Sequence, residues 1–178
     1  MELPEELINR PPRKPGQEPT ARLTLEAYER LKAELEELTT HGREVIALRL
    51  KVAREHGDLR ENAEYDTAKN DQGLMESKIR KLQQLLRDPD IVEAAADADA
   101  VGPGMLVTVR PLDDDEPEDE TYLLAEHAEE KAPGARTVTT TSPLGSALMG
   151  SATGDEVVYE APGGNFRYVV VGFEPLAG

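Results

Sequence analysis

The chain has 178 residues, 38% of them hydrophobic, 31% charged and only 4% aromatic, which suits one or two small domains with modest cores and excludes a large aromatic-lined ligand pocket. It holds no cysteine, so disulfides and thiolate metal sites are excluded and a reducing compartment is its natural setting. The net charge of −16 divides unevenly, as −1 over residues 1–20, −2 over 21–90 and −13 over 91–178, and a chain this acidic does not coat naked nucleic acid through bulk charge.

Residues 1–20 carry five prolines and no hydrophobic period, which predicts a flexible extension outside the fold. The stretch MELPEELINRPPRKPGQEP has no apolar signal core, and no run of 18 apolar residues occurs anywhere. The cytoplasm is therefore the default compartment, with no membrane contact expected. From Thr24, a predicted N-cap, apolar or small residues recur as Tyr28, Leu31, Leu35, Leu38, Gly42, Val45 and Val52, with Arg49 breaking the seam. After a corner at residues 57–62, Tyr65, Ala68, Gln72, Met75, Ile79, Leu82 and Leu86 repeat the spacing until Asp88-Pro89.

Two long amphipathic stretches joined by a short connection predict an antiparallel coiled-coil hairpin over residues 21–90. At about 30 residues per helix its arm is roughly 45 Å long, more reach than a compact domain of this size requires. A linker over 91–100 leads to period-two runs, MLVTVR, TYLLAEH, RTVTTT, EVVYEA and FRYVVVGFE, with one short helix at Ser142–Gly150. Residues 101–176 thus read as a small antiparallel sheet domain with one helix, and the whole chain as α+β.

The corner Gly57-Asp58-Leu59-Arg60-Glu61 has two explanations. Asp58 as N-cap and Glu61 three residues later form a capping box, the commoner use of acids at a helix start. Alternatively the pair is an incomplete metal site, since Mg²⁺ takes one or two protein carboxylates and leaves its other positions to water and phosphate. Around it, residues 41–60 carry a local +2, with Arg43, Arg49, Lys51, Arg54 and Arg60 against Glu44, Glu55 and Asp58. Arg43 and Arg54 share a helix face flanked by Lys51, an arrangement that suits a phosphate backbone or an ordinary solvated face. His56 reads as a helix-end residue.

The stretch Gly57-Asp58-Leu59-Arg60-Glu61-Asn62-Ala63-Glu64-Tyr65, continuing through Ala68-Lys69 to Gln72-Gly73, closely resembles the tip signature of the bacterial Gre transcript-cleavage factors. A second match, Ser142-Pro143-Leu144-Gly145 with Ala147-Leu148 and Gly150, then Gly154-Asp155-Glu156-Val157 and Ala161-Pro162-Gly163-Gly164, resembles that family's C-terminal domain. The resemblance spans about residues 22–175. It implies an FKBP-like C-terminal domain that grips RNA polymerase at the rim of its secondary channel, with Ser142, Pro143, Leu144 and Gly145 in the contact. It also implies a coiled coil pushed down the channel, where Asp58 and Glu61 help hold a Mg²⁺ ion shared with the polymerase and none is bound to the chain alone. The polymerase, rather than this chain, would then hydrolyse the extruded 3′ end of a backtracked nascent RNA, with Arg43, Lys51, Arg54 and Arg60 guiding it.

Asp66 departs from the family pattern, and the acidic run Asp113–Glu120 reads as a solvated loop. Two other readings stay open: a Gre-like regulator that occupies the channel without promoting cleavage, and a plain coiled-coil interaction module. No nucleophile–base constellation, phosphate loop or complete metal site points to an independent enzyme or a small-molecule substrate.

Overall fold

The structure, a computed structural model, describes residues 3–55, 63–92, 99–114 and 116–176. In chain order these form α1 (Glu5–Ile8), β1 (Arg22–Leu23), α2 (Leu25–Glu37), a π-turn (Leu38–Gly42), α3 (Arg43–Glu55), α4 (Ala63–Leu86), β2 (Asp90–Ile91), β3 (Met105–Pro111), β4 (Glu120–Ala125), β5 (Arg136–Thr139), α5 (Pro143–Leu148), β6 (Glu156–Ala161) and β7 (Gly164–Pro175). Among them no helix is long and apolar enough to cross a membrane.

The predicted helical pair is present, with one difference that changes its seam. Thr24 caps α2, its hydroxyl accepting from the Ala27 amide at 3.1 Å. The helix then widens over Leu38–Gly42, where the Arg43 amide donates to the Leu38 carbonyl five residues back. Thr39 and Thr40 turn their hydroxyls onto the carbonyls of Leu35 and Glu36 at 2.8 and 2.7 Å, the back-bonding that favours such a distortion. Gly42 leaves room for Met75 Sδ, which lies 3.1 Å from where a Cβ would stand. The extra residue moves the tipward half of the seam by one position. Ile46, Leu50 and Ala53 are buried instead of Val45, Arg49 and Val52, and Arg49 pairs on the flank with Asp71 at 2.8 Å. On α4 the expected Ala68, Ile79 and Leu82 are buried, and Leu85 joins them.

Residues 3–20 are not outside the fold, as their composition predicted. Leu7 is buried with Leu23, Tyr28, Leu31, Leu82 and Leu85 at the base of the hairpin. Tyr28 donates to Glu6 at 2.8 Å. Arg10 and Arg13 converge on Asp88 at 3.1 and 2.8 Å, and Arg13 also donates to the Pro89 carbonyl at 2.9 Å. A parallel pairing of β1 with β2 closes the same corner. Truncation before Thr20 is expected to lower the stability of the hairpin base by about 2–4 kcal/mol, the usual cost of removing a buried leucine side chain such as Leu7, measurable by urea unfolding followed at 222 nm. The hydrogen bond from Arg13 holds the Asp88 carboxyl below its ordinary 3.8. Its contribution is therefore present above about pH 4 and is lost as the pH falls through the depressed folded value.

The C-terminal sheet has the order β5-β4-β3-β7-β6. Pairs β3–β4, β3–β7 and β6–β7 are antiparallel as expected, whereas the edge strand β5 runs parallel to β4. The reason is the long connection Glu126–Ala135, which crosses over before the chain re-enters the sheet. Leu144 and Leu148 of α5 pack with Val107, Val109, Leu124, Tyr168 and Val170 into one core. Of the acidic run, Asp113, Asp114 and Glu116–Asp119 lie between β3 and β4 and Glu120 opens β4; Asp119 is paired with Arg110 at 2.6 Å and Asp113 with Arg167 at 3.5 Å.

Glu130, inside the crossover, is 5% exposed and accepts from the His127 amide at 2.9 Å. Burial pushes its carboxyl up to about 7. The folded chain therefore binds a proton between pH 4.5 and 7 that the unfolded chain lacks, so stability falls as pH rises through that window. Glu130→Gln is expected to flatten this dependence, read as thermal melts at pH 5.5 and pH 8.

Candidate functional site at the end of the helical arm

Helices α3 and α4 form the outer half of the arm. A small core of Ile46, Leu50 and Ala68, with Tyr65 and Met75 packed on it, holds them together. Ion pairs brace the flanks: Arg43 grips Glu76 with two bonds of 2.8 and 2.9 Å, which raises the arginine's pKa and lowers the carboxyl's. Nearer the end, the Arg54 guanidinium lies 5.6 Å from the Tyr65 ring centroid. It donates to the Tyr65 hydroxyl at 3.4 Å, and this bond lowers the phenol's pKa.

The described helices stop at Glu55 and resume at Ala63. Asp58, Glu61, Arg60 and His56 lie between them, outside the described residues. Of the cations predicted to guide RNA, Arg43 and Arg54 both lean on α4 and are committed to Glu76 and Tyr65, while Lys51 is exposed. Asp66 is exposed in the first turn of α4, where a negative charge suits the helix dipole. Among the described residues no group of three or more His, Asp or Glu side chains could hold a metal ion.

The second motif has an internal role. Ser142 caps α5, its hydroxyl accepting from the Gly145 amide at 3.1 Å and donating to the Thr139 carbonyl at 2.7 Å. Leu144 is buried in the sheet core and Gly145 is buried against β5, whereas Pro143 is exposed. Three of these four residues therefore keep the segment's shape, and Pro143 is the one whose side chain faces outward.

Sequence reading missed the contacts between the arm's base and the sheet domain. Arg30 donates to the Lys131 carbonyl at 2.8 Å, Lys81 pairs with Glu129, and a cavity of about 340 Å³ lined by Arg22, Thr24, Met105, Glu126 and Glu130 lies there. Partners about a hundred and about fifty residues apart leave no local pattern to find.

The described residues thus form a helical hairpin braced by ion pairs, with Asp58 and Glu61 in the sequence between its two long helices, followed by a mixed five-stranded sheet domain. Residues 21–91 match the family described as "Transcription elongation factor, N-terminal". Residues 96–175 match "Transcription elongation factor, GreA/GreB, C-term". The chain is 42% identical over 157 residues to the transcription elongation factor GreA of Saccharopolyspora erythraea, covering 88% of this chain and 95% of that protein. It is 43% identical over 157 residues to GreA of Streptomyces avermitilis, with 88% and 94% covered. Among solved structures, the GreA factor homolog 1 of Thermus thermophilus matches with 25% identity and a TM-score of 0.39 over 86% of this chain and 98% of that one. The chain belongs to the GreA/GreB family of transcription elongation factors.

Proposed function

We propose that the protein inserts its helical arm into the secondary channel of RNA polymerase and stimulates endonucleolytic cleavage of the 3′ end of backtracked RNA. The observation that supports this reading most directly is that Asp58 and Glu61 fall in the seven residues between the ends of α3 and α4, the stretch that joins the two helices of the arm. The donor set fits a hard cation: two carboxylates, without cysteine anywhere in the chain, suit Mg²⁺ better than a softer metal. Bound between these acids and ligands of the polymerase, Mg²⁺ would supply charge neutralisation and activation of the attacking water. Asp58 and Glu61 would be the residues of this chain that hold the ion, with the remaining ligands left to the polymerase. Lys51, with Arg60, attracts the RNA phosphates, while Arg43 and Arg54 act through their braces on α4, holding the arm against which the RNA lies. The sheet domain holds the polymerase outside the channel, with Pro143 of the Ser142–Gly145 segment in the contact.

The test uses a defined backtracked elongation complex. Adding the protein with Mg²⁺ is expected to release short 3′ fragments and leave transcripts that resume extension when nucleotides are supplied. Binding to the polymerase without fragment release would overturn cleavage in favour of a channel-blocking regulator, and absence of binding would overturn the polymerase reading itself.

A further inference from the structure

The cavity at the root of the arm, about 340 Å³ in volume, is lined by charges that do not pair with one another. Arg22 of β1 stands on the arm's side, and Glu126 and Glu130 on the side of the sheet domain. Among the described residues none of these three takes part in an ion pair. The cations that reach this crossover are engaged elsewhere: Lys81 pairs with Glu129, and Arg30 donates to Glu26 and to the Lys131 carbonyl. Glu130 is 5% exposed. Its carboxyl accepts from the His127 amide at 2.9 Å, which brings no counter-charge, and burial raises its pKa to about 7. The other walls are aliphatic, formed by Val92, itself 37% exposed, with Pro103 and Met105. Apolar walls, a few converging polar groups and a carboxyl displaced from its ordinary pKa are the marks of a small-molecule site.

We propose that this cavity binds a small zwitterion, an α-amino acid with a short aliphatic side chain. Its ammonium group meets Glu130 and Glu126, and its carboxylate meets the Arg22 guanidinium, whose planar fork suits a carboxylate. Its side chain lies against Val92, Pro103 and Met105. A simple amine would leave Arg22 unanswered, and a simple carboxylate would face two acids of its own sign, so only the zwitterion answers both walls. A metal ion is not the occupant, since among the described residues no group of three or more His, Asp or Glu side chains could hold one. The occupant touches the arm's root and the sheet domain at once. Binding here needs neither the polymerase nor the residues between α3 and α4.

The experiment titrates the ¹⁵N-labelled full chain with L-leucine at pH 8, above the pKa of Glu130, and follows the backbone amide signals. Saturable shifts are expected at Arg22, Gly102, Gly104 and Glu130. Two probes keep the leucine skeleton: 3-methylbutylamine lacks the carboxylate, and 4-methylpentanoate lacks the ammonium group. Each is expected to bind at least about tenfold more weakly, the scale of one charge-assisted hydrogen bond. Arg22→Gln and Glu130→Gln are expected to lower leucine affinity by a similar factor. Because Arg22 is exposed, Arg22→Gln keeps the fold and carries the test where Glu130→Gln does not. The absence of saturable shifts with L-leucine, or shifts confined to other residues, overturns the proposal. An amine or a carboxylate that binds as tightly as leucine overturns the zwitterion assignment. Unchanged leucine affinity in Arg22→Gln takes the guanidinium out of the site and overturns it equally.

Discussion

Asp58→Ala and Glu61→Ala are each expected to reduce Mg²⁺-dependent transcript cleavage by at least about 100-fold, the usual scale for removing one preorganised group acting on developing charge, while polymerase affinity stays within about twofold. On the proposed reading the two effects separate, because the contacts that would hold the polymerase are assigned to the sheet domain and not to the residues between α3 and α4. If the pair shares one ion with the polymerase, each single variant still offers one carboxylate, and raising Mg²⁺ restores part of its rate. The double variant has nothing to contribute, so added Mg²⁺ leaves it inactive. The capping alternative predicts another pattern: loss of a cap costs about 1 kcal/mol of helix stability, and Asp58→Asn and Asp58→Ser, which cap as well as aspartate, would restore full cleavage. Full rescue by Asn or Ser, or wild-type rates in both alanine variants, removes the catalytic assignment.

The fold was legible where one local rule governed a segment. Thr24 and Ser142 were expected as caps and both accept the amide three residues on. Alternating and short apolar runs located all five strands of the larger sheet, with Val107 and Val109 of β3 alternating into the core and β4 buried on both faces from Tyr122 to Ala125. The rest depended on contacts far apart in sequence. A heptad read through residue 42 places Arg49 in the seam, and only the packing of Gly42 against Met75 reveals the added residue that removes it. The N-terminal segment looks disordered by composition, since its prolines and charges carry no period. Its order comes from Leu7 reaching the hairpin core and from Arg10 and Arg13 closing on Asp88, more than seventy residues away. Of the site, the motif and the cations on α3 were readable, but not that Arg43 and Arg54 are already engaged by α4, because that follows from the register between the two helices.

Gly145→Ala is expected to unfold the sheet domain or destabilise it by about 3–5 kcal/mol, the range of severe steric insertions. A Cβ at this position would stand 2.8 Å from the Thr139 carbonyl carbon and closer still to its oxygen. That carbonyl cannot yield, since it accepts both the Ser142 amide at 2.9 Å and the Ser142 hydroxyl at 2.7 Å, and Thr139 pairs in the sheet with Ala125. Relief requires β5 to leave β4 or α5 to lift from the core, which exposes Leu144 and Leu148. Gly73→Ala provides the contrast: it lies within α4 with nothing within 4 Å of the added carbon, so the gain in helix propensity stabilises by about 0.5–1 kcal/mol. Hydrogen exchange on the full chain separates the two domains. In Gly145→Ala, protection is expected to vanish across β3 to β7 while α2 and α4 keep theirs, because the helical base has its own core around Leu31 and Leu82. A Gly145→Ala chain that melts with wild type and retains its sheet protection would show that the close approach of α5 to β5 is not needed to hold the domain together.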